Sequence, residues 1–370
     1  MYLLRQIRHY ICLYFGVIIL SNIFTIVHAH EIATLHYHIQ GNKEFQSITI
    51  CYKNEIIHTS SNTIGSISRI ITTPQLLDVY LNNQKTNPHQ LWWHQGIIDL
   101  YISGSNEIVL IKNSPLNEVQ STITKACNVF DITIKTIEQQ ILITSSLQEK
   151  LKLKYALIET KIARNHTIIN ELNKHPESYL RLYYVNILLQ DYRIDQSQVN
   201  RLFNYTHTTL KTYPLWQQCD SLIRNQNFKM KNGDTIHEFI LPNDQMQIVD
   251  VLADAKNKKY IYLDFWASYC APCRKYNKAT LAIFEKYNKD VLFVSISEDT
   301  DKESWEQASK QDGISWHNLC DLKGKKSYII NLFQAYSMPT GVLITKEGVV
   351  IENNFHPSYL IDKLYALLHY

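Results

Sequence analysis

Apolar residues alternate with polar ones in short bursts from residue 30 to about 115, a pattern typical of antiparallel strands. Two pairs of these bursts flank short polar segments, Lys53-Asn54 and residues 103–106, and each pair predicts a hairpin. No cluster of catalytic residue types stands out in this stretch. The pattern therefore predicts a small, β-rich antiparallel domain at residues 30–115.

Between residues 116 and 225 the spacing of the apolar positions changes to that of helices. One helical face consists of Leu151, Tyr155, Ile158 and Ile162. A later helical stretch covers residues 198–211 and stops before Pro214. We expect an α-helical domain here that serves as a spacer or interaction platform, because amphipathic faces of this kind usually make core contacts.

From residue 230 to residue 370 strands and helices alternate along the chain. An apolar strand at residues 260–265 leads into a helix that extends through Tyr287, and a second strand and helix follow. A β-hairpin around Lys346-Glu347-Gly348 and a closing helix complete the segment. This order predicts an α/β domain at the C-terminal end of the chain.

Two cysteines, Cys270 and Cys273, lie where the apolar strand gives way to the helix. The N-terminus of a helix carries unpaired N–H groups and about half a positive charge, which stabilises a thiolate. Lowering a cysteine pKa from about 8.5 to about 7 takes only about 2 kcal/mol and makes about half of the sulfur anionic at neutral pH. The motif therefore predicts a redox-active dithiol, and the alternatives are a static disulfide or half of a metal site.

Three motifs resemble those of the thioredoxin superfamily, namely Asp264-Phe265-Trp266-Ala267, Cys270-Ala271-Pro272-Cys273 and Met338-Pro339-Thr340. An extended lead-in at residues 238–243 and the long gap between Cys273 and Pro339 make the domain most similar to exported TlpA/ResA-like thiol:disulfide oxidoreductases. The order of β-domain, helical segment and thioredoxin domain also resembles a group of multidomain exported proteins of the Bacteroidetes type. The resemblance implies a thioredoxin-like domain, with a central mixed sheet flanked by helices, at residues 230–370.

This resemblance implies catalytic roles for three residues. Cys270 is the more exposed nucleophile, and Cys273 is the buried sulfur that resolves a mixed disulfide, so the two form a redox disulfide. Asp264 is expected to be a buried acid with a raised pKa, which exchanges a proton with Cys273. The alternative for Asp264 is that strand alternation turns its side chain outward into solvent.

The same resemblance implies a substrate-binding surface beside the dithiol. Pro339 is expected to be cis and to lie opposite the two cysteines, where the backbone next to Met338, Pro339 and Thr340 pairs with an extended substrate segment. Trp266 and Tyr269 are expected to form walls of this surface. For Trp266, ordinary packing in the core is the alternative.

The sequence departs from the family pattern at two places. Tyr269 precedes Cys270 where the family usually has tryptophan, and Tyr276, Asn277 and Lys278 stand where it often has a glutamate and a kinking proline. We therefore expect a straighter helix and the loss of the acid that this glutamate supplies. Redox potential and partner choice are the properties that these changes affect.

The first 29 residues predict a signal peptide or a membrane anchor. Arg5 and Arg8 precede an apolar run at residues 11–27, and Val27-His28-Ala29 offers small residues at both critical positions of a cleavage site. The run is slightly long for a signal peptide and slightly short for a membrane-spanning helix, so cleavage after Ala29 and retention as an anchor both stay open. Either outcome predicts an exported protein of the periplasm or cell envelope.

The composition argues against several classes of partner and cofactor. A net charge of +3 over 370 residues gives no reason to expect a nucleic-acid partner. Seven cysteines are too few for a disulfide-built scaffold, and no second Cys-x-x-Cys completes a four-thiolate zinc site. We therefore expect neither a cofactor nor a metal.

The remaining cysteines and several histidines leave weaker alternatives open. His317 and Cys320 could join Cys270 and Cys273 in a Cys3His metal site, or Cys320 could act as a third redox thiol, although a buried spare cysteine is preferred. Cys51, Cys127 and Cys219 form an odd set, in which Cys51 and Cys127 could form a structural disulfide, but the sequence does not choose the pairing. His30, His36 and His38 could bind copper, although ordinary surface histidines are preferred.

The leading functional hypothesis is an exported thiol:disulfide oxidoreductase that reduces disulfides of other exported proteins and receives electrons from a separate thiol protein. Ala271-Pro272 lacks the histidine found between the cysteines of strongly oxidising relatives, which favours the reducing direction. One alternative is a thiol peroxidase, which would need an isolated peroxidatic cysteine after a Thr-x-x motif. The other is a non-catalytic adaptor that uses the thioredoxin fold as a scaffold.

Overall fold

The computed structural model describes residues 32–40, 45–82, 88–103, 108–191, 193–224 and 230–369. The predicted signal at residues 1–29 and His30 lie outside the described residues. Within these ranges, no helix is both long enough and apolar enough to cross a membrane. The chain divides into two compact units, Met1–Thr122 with Ser178–Leu180, and Ile123–Glu177 with Arg181–Tyr370.

The described part of the first unit contains two four-stranded sheets. Their strands are β1 (Ile32–Ile39), β2 (Ile48–Tyr52), β3 (Glu55–Ser60), β4 (Ile64–Ile70), β5 (Gln75–Leu81), β6 (His89–Trp93), β7 (Gly96–Ile102) and β8 (Ile108–Lys112). The strand orders are β4-β1-β7-β8 and β3-β2-β5-β6. All neighbours pair antiparallel except β1 and β7, which are parallel. The predicted antiparallel β-structure is confirmed, with this one parallel pair as the exception.

The first predicted hairpin is present, and the strands of the second, β7 and β8, pair antiparallel, although residues 104–106 of its predicted connection lie outside the described residues. Lys53 and Asn54 connect β2 to β3 and have φ values of 49° and 68°. Two consecutive residues with positive φ give the turn whose twist matches that of the flanking strands. Alternation along β1 and the other strands then buries one face of each sheet, and the two faces share a single apolar core.

Five α-helices follow the sheets. They are α1 (Pro115–Ile143), α2 (Leu147–Asn173), α3 (Tyr179–Leu188), α4 (Gln196–Asn204) and α5 (Pro214–Arg224), with a short 3-10 helix at Thr208–Thr212. The single helical stretch predicted at residues 198–211 is therefore divided, because α4 ends at Asn204. Pro214, taken as a stop, instead begins α5, since a proline needs no N–H partner in the first turn of a helix.

Helix α2 belongs to the core of the C-terminal α/β module, which differs from the separate spacer predicted at residues 116–225. Ile158 is only 2% exposed and lies in one apolar cluster with Leu263 and Phe265 of the central sheet. Tyr155 and Ile162 pack against the same cluster. The predicted amphipathic face is real, but it packs into the apolar core of this module instead of among the helices alone.

The C-terminal module itself has the predicted central mixed sheet flanked by helices. Its strands are β9 (Ile240–Pro242), β10 (Ile248–Asp250), β11 (Tyr260–Trp266), β12 (Val291–Ser297), β13 (His317–Leu319), β14 (Thr340–Thr345) and β15 (Val350–Phe355). Its helices are α6 (Val251–Asp254), α7 (Ala271–Tyr287), α8 (Lys302–Asp312), α9 (Tyr328–Phe333) and α10 (Leu360–His369), with 3-10 turns at Gly324–Lys326 and Pro357–Tyr359.

Strand β11 lies at the centre of this sheet, whose order is β13-β12-β11-β14-β15. It pairs parallel with β12 and antiparallel with β14. Four residues separate the end of β11 from the start of α7, and α7 runs for 17 residues without interruption. The end of β11, the start of α7 and the start of β14 therefore lie at the same end of the sheet.

Replacing Ile158 tests whether α2 is part of this core. We expect Ile158→Ala to lower the free energy of unfolding by about 2–4 kcal/mol, because a buried isoleucine loses both transfer energy and packing when truncated. Ile132→Ala is the matched control on α1, where the side chain is 57% exposed, and it should change stability by less than about 0.5 kcal/mol. Equal effects of the two variants in a urea titration would contradict this account.

Candidate redox site

Cys270 and Cys273 form a disulfide at the N-terminus of α7. Cys270 is the N-cap residue, and its Sγ accepts a hydrogen bond from the Cys273 N–H at 3.3 Å. Pro272 lies in the first turn, where its missing N–H costs no helical hydrogen bond. Cys270 is half-buried whereas Cys273 is fully buried. Only one of the two sulfurs is therefore within reach of another protein.

Asp264 lies on β11 with its side chain turned into the protein, since the residue is only 4% exposed. Burial raises its pKa to about 7, and the hydroxyls of Ser295 and Tyr262 beside it offset part of this effect. The Ser295 Oγ donates to Asp264 Oδ2 at 3.4 Å and accepts from Trp316 Nε1 at 2.9 Å. The solvent-facing alternative for Asp264 is therefore wrong.

Trp266 does not form a wall that a partner could contact, because its side chain is fully buried. Alternation along β11 places it on the same face as Asp264, and it packs there with Cys273, Trp305 and Cys320. The substrate-binding position expected for Trp266 is thus corrected to one behind the disulfide. The Trp266 ring therefore packs in the same cluster as the buried Cys273.

The loop before β14 lies at the same end of the sheet as the disulfide. The Met338–Pro339 peptide bond is cis, and both residues are partly exposed. Met338 packs against the apolar cluster that contains both sulfurs. Thr340 is buried and donates through Oγ1 to the Ser337 carbonyl at 2.6 Å, so its hydroxyl shapes the loop and does not face a partner.

Two buried carboxylates that sequence reasoning missed follow directly after β12. The Tyr269 hydroxyl donates to Glu298 Oε1 at 2.8 Å. Asp299 accepts from the Ser268 N–H at 2.9 Å and from the Ser268 hydroxyl at 2.6 Å, which fixes the segment that leads into Cys270. Their one signal in the sequence is that they stand at the carboxyl end of a buried parallel strand, where functional residues collect in α/β sheets.

The other cysteines among the described residues are free, buried thiols: Cys51, Cys127, Cys219 and Cys320. The Cys51–Cys127 disulfide is therefore absent. Cys320 donates through Sγ to the Asp299 carbonyl at 3.4 Å, and burial raises its pKa to about 12. A thiol with that pKa and no exposure is a poor nucleophile.

The metal alternatives find no assembled site in the described part of the chain, where no three His, Cys, Asp or Glu side chains group as a metal would need. His317 Nε2 lies 2.9 Å from Asp254 Oδ2. His36 Nδ1 lies 3.2 Å from Asp99 Oδ1, and His38 stacks on Tyr101. These histidines thus have local partners.

Together these groups form a site for two-electron exchange between sulfurs. The positive end of α7 stabilises an anionic Cys270, and Cys273 lies within disulfide distance one turn later. A carboxyl group whose pKa is about 7 can both accept and return a proton near neutral pH.

Comparison with known proteins places this site in a family. Residues 257–350 match the family model described as Thioredoxin-like. The thiol-disulfide oxidoreductase ResA of Bacillus thuringiensis is 29% identical over 125 residues, which cover 34% of this chain and 69% of that protein. ResA of Geobacillus kaustophilus is 27% identical over 121 residues, covering 32% and 66%.

A solved thiol-disulfide oxidoreductase from Bacteroides fragilis is 31% identical to this chain, with a TM-score of 0.34. The match covers 36% of this chain and 100% of that one. The family model falls on the module that carries the disulfide. The chain belongs to the thioredoxin superfamily and is a thiol:disulfide oxidoreductase.

Proposed function

We propose that this protein is exported and reduces disulfides of other exported proteins through the Cys270/Cys273 dithiol. The observation that carries the proposal is the unequal exposure of the two sulfurs at the start of α7. One sulfur can meet a partner, and the other can meet only its neighbour. That arrangement suits a nucleophile and a resolving thiol.

In the first step the Cys270 thiolate attacks one sulfur of the partner disulfide. A bond forms between Cys270 Sγ and that sulfur, the partner S–S bond breaks, and the second partner sulfur leaves as a thiolate that takes up a proton. The helix N-terminus favours the attacking thiolate, because unpaired N–H groups and the helix dipole stabilise negative charge there. The product is a mixed disulfide.

In the second step Cys273 loses its proton and attacks Cys270 Sγ. The protein disulfide forms, and the remaining partner sulfur leaves as a thiolate and is protonated. Two electrons have then passed from the dithiol to the partner. Asp264, with a pKa of about 7, is the residue that accepts the Cys273 proton, directly or through a water molecule.

The partners in this proposal are polypeptides on both sides of the cycle. Met338 and Pro339, partly exposed next to the dithiol, offer a backbone edge to an extended substrate segment. A separate thiol protein returns electrons to the Cys270–Cys273 disulfide. Export rests on the N-terminal pattern of Arg5, Arg8 and the apolar run at residues 11–27, and this run could also act as a membrane anchor.

A redox titration against glutathione or dithiothreitol buffers tests the direction of transfer. We expect a reduction potential between about −220 and about −270 mV, where reducing members of the superfamily lie. A value above about −180 mV, the region of oxidising isomerases, would contradict the reducing role. The Cys270→Ser/Cys273→Ser double variant serves as the blank, since the cysteines that remain in the described part of the chain are buried.

A further inference from the structure

Tyr269 combines an exposed ring with a fixed hydroxyl, and the proposed chemistry leaves this combination unexplained. The residue is 67% exposed although it directly precedes Cys270. Its hydroxyl nevertheless donates to Glu298 Oε1 at 2.8 Å. An exposed tyrosine normally samples several rotamers, but the hydrogen bond from the hydroxyl to Glu298 restricts this ring.

The acceptor of this hydrogen bond is an unusual group for its position. Glu298 is only 4% exposed, and its backbone N–H donates to the Trp266 carbonyl at 2.9 Å, which fixes it at the end of β11. Its second oxygen, Oε2, is buried and has no hydrogen-bond partner among the described residues. Burying a carboxyl group with so few donors is costly, so the hydrogen bond from the Tyr269 hydroxyl helps to hold it in this position.

We propose that Glu298 is a positioning residue that holds the Tyr269 ring beside Cys270, and that the held ring favours polypeptide disulfides over small-molecule disulfides. This inference rests on the proposed function. A ring next to the nucleophile contacts the residues that flank a disulfide in a peptide chain. A small disulfide has no such flanking residues and gains nothing from the ring.

The energetic advantage comes from fixing the ring before the partner arrives. A free side chain would lose rotamer entropy when a partner packs against it, and this loss would weaken binding. Tyrosine already has few rotatable bonds, and the hydrogen bond to Glu298 restricts them further. The effect therefore appears in the affinity for the partner more than in the rate of sulfur exchange.

The test uses the full chain, pre-reduced, in single-turnover reactions with insulin and with 2-hydroxyethyl disulfide. Acid quenching and thiol counting give the half-saturating concentration and the maximal rate. The efficiency for each substrate is the maximal rate divided by the half-saturating concentration. We expect Tyr269→Phe to lower the ratio of the efficiency for insulin to that for 2-hydroxyethyl disulfide about threefold, the value of one ordinary hydrogen bond. Tyr269→Ala should lower that ratio about tenfold, since the aromatic contact is lost as well. Both losses should lie in the half-saturating concentration for insulin.

Variants of Glu298 separate positioning from charge. Glu298→Gln keeps an acceptor oxygen and should restore most of the ratio, whereas Glu298→Ala should match Tyr269→Phe. Combining Glu298→Ala with Tyr269→Phe should cost no more than either change alone, because both remove the same bond. Circular dichroism and thermal melts check that each variant is folded. Tyr365→Phe, another exposed tyrosine in α10, is the control.

Two results would overturn the inference: a ratio that Tyr269→Phe leaves unaltered, or a Glu298→Gln loss equal to that of Glu298→Ala. Failure of the proposed function has a different signature. In that case the pre-reduced wild-type protein would reduce neither insulin nor the small disulfide.

Discussion

Cys273→Ser is expected to accumulate a covalent complex with its partner protein, and Cys270→Ser is expected to accumulate none. Without Cys273 the first exchange still forms the bond between Cys270 Sγ and the partner, but no neighbouring thiolate can break it. Without Cys270 the exposed nucleophile is gone, and the fully buried Cys273 cannot take its place. We expect Cys270→Ser to lower the rate of disulfide reduction at least about a thousandfold, as removal of a nucleophile does in other enzymes.

Non-reducing gels and mass spectrometry of the adduct measure this outcome, and they identify the partner at the same time. Cys320→Ala is the matched control, because Cys320 packs near both redox sulfurs yet is buried with a pKa of about 12. It should react like the wild type. Equal trapping by Cys270→Ser and Cys273→Ser, or wild-type turnover by Cys270→Ser, would show that the dithiol is not the reacting group.

The sequence was informative about this site because its key residues lie close together along the chain. Asp264, Cys270 and Cys273 span the end of one strand and the start of one helix, so local structure alone brings them together. Strand alternation could not say which face is buried, yet the apolar neighbours of Asp264 favoured the inward orientation that the structure shows. The order of strands and helices predicted an α/β domain, and the mixed sheet was implied by the resemblance to the thioredoxin superfamily.

Long-range contacts were beyond the reach of the same reasoning. The apolar face of α2 is visible in the sequence, but nothing in its spacing specifies that Ile158 joins an apolar cluster with Leu263 and Phe265, about a hundred positions later. The parallel pairing of β1 with β7 was missed for a similar reason, since alternation shows that a strand exists but not its neighbour. Glu298 was missed because its contact with Tyr269 spans 29 residues.

Near pH 7, Asp264→Asn is expected to stabilise the folded protein and to slow the release of the partner from the mixed disulfide. In the native state burial raises the pKa of Asp264 to about 7 from an ordinary 3.8. Between about pH 4 and pH 7 the unfolded chain has released this proton while the native protein retains it, so the free energy of unfolding falls as pH rises. Above about pH 7 both states are ionised, and the loss is complete.

The asparagine variant lacks this slope because its side chain does not titrate. The stability difference between Asp264→Asn and wild type should therefore grow by about 4 kcal/mol from pH 4 to pH 8, in favour of the variant. Urea titrations of the oxidised proteins measure it, since no redox thiol then titrates. A wild-type stability that rises over this range relative to the variant would mean that Asp264 is stabilised as the anion.

The kinetic effect of Asp264→Asn has the opposite sign, because the amide cannot accept the Cys273 proton. We expect release of the partner from the mixed disulfide to slow about a hundredfold near pH 7, the usual contribution of a general base. In the wild type this step should accelerate as pH rises through about 7, where Asp264 becomes ionised, and the variant should lose that acceleration. Ser295→Ala removes a hydrogen bond that lowers the Asp264 pKa, so its acceleration should move to higher pH. If that shift goes to lower pH instead, the proton acceptor is a group other than Asp264.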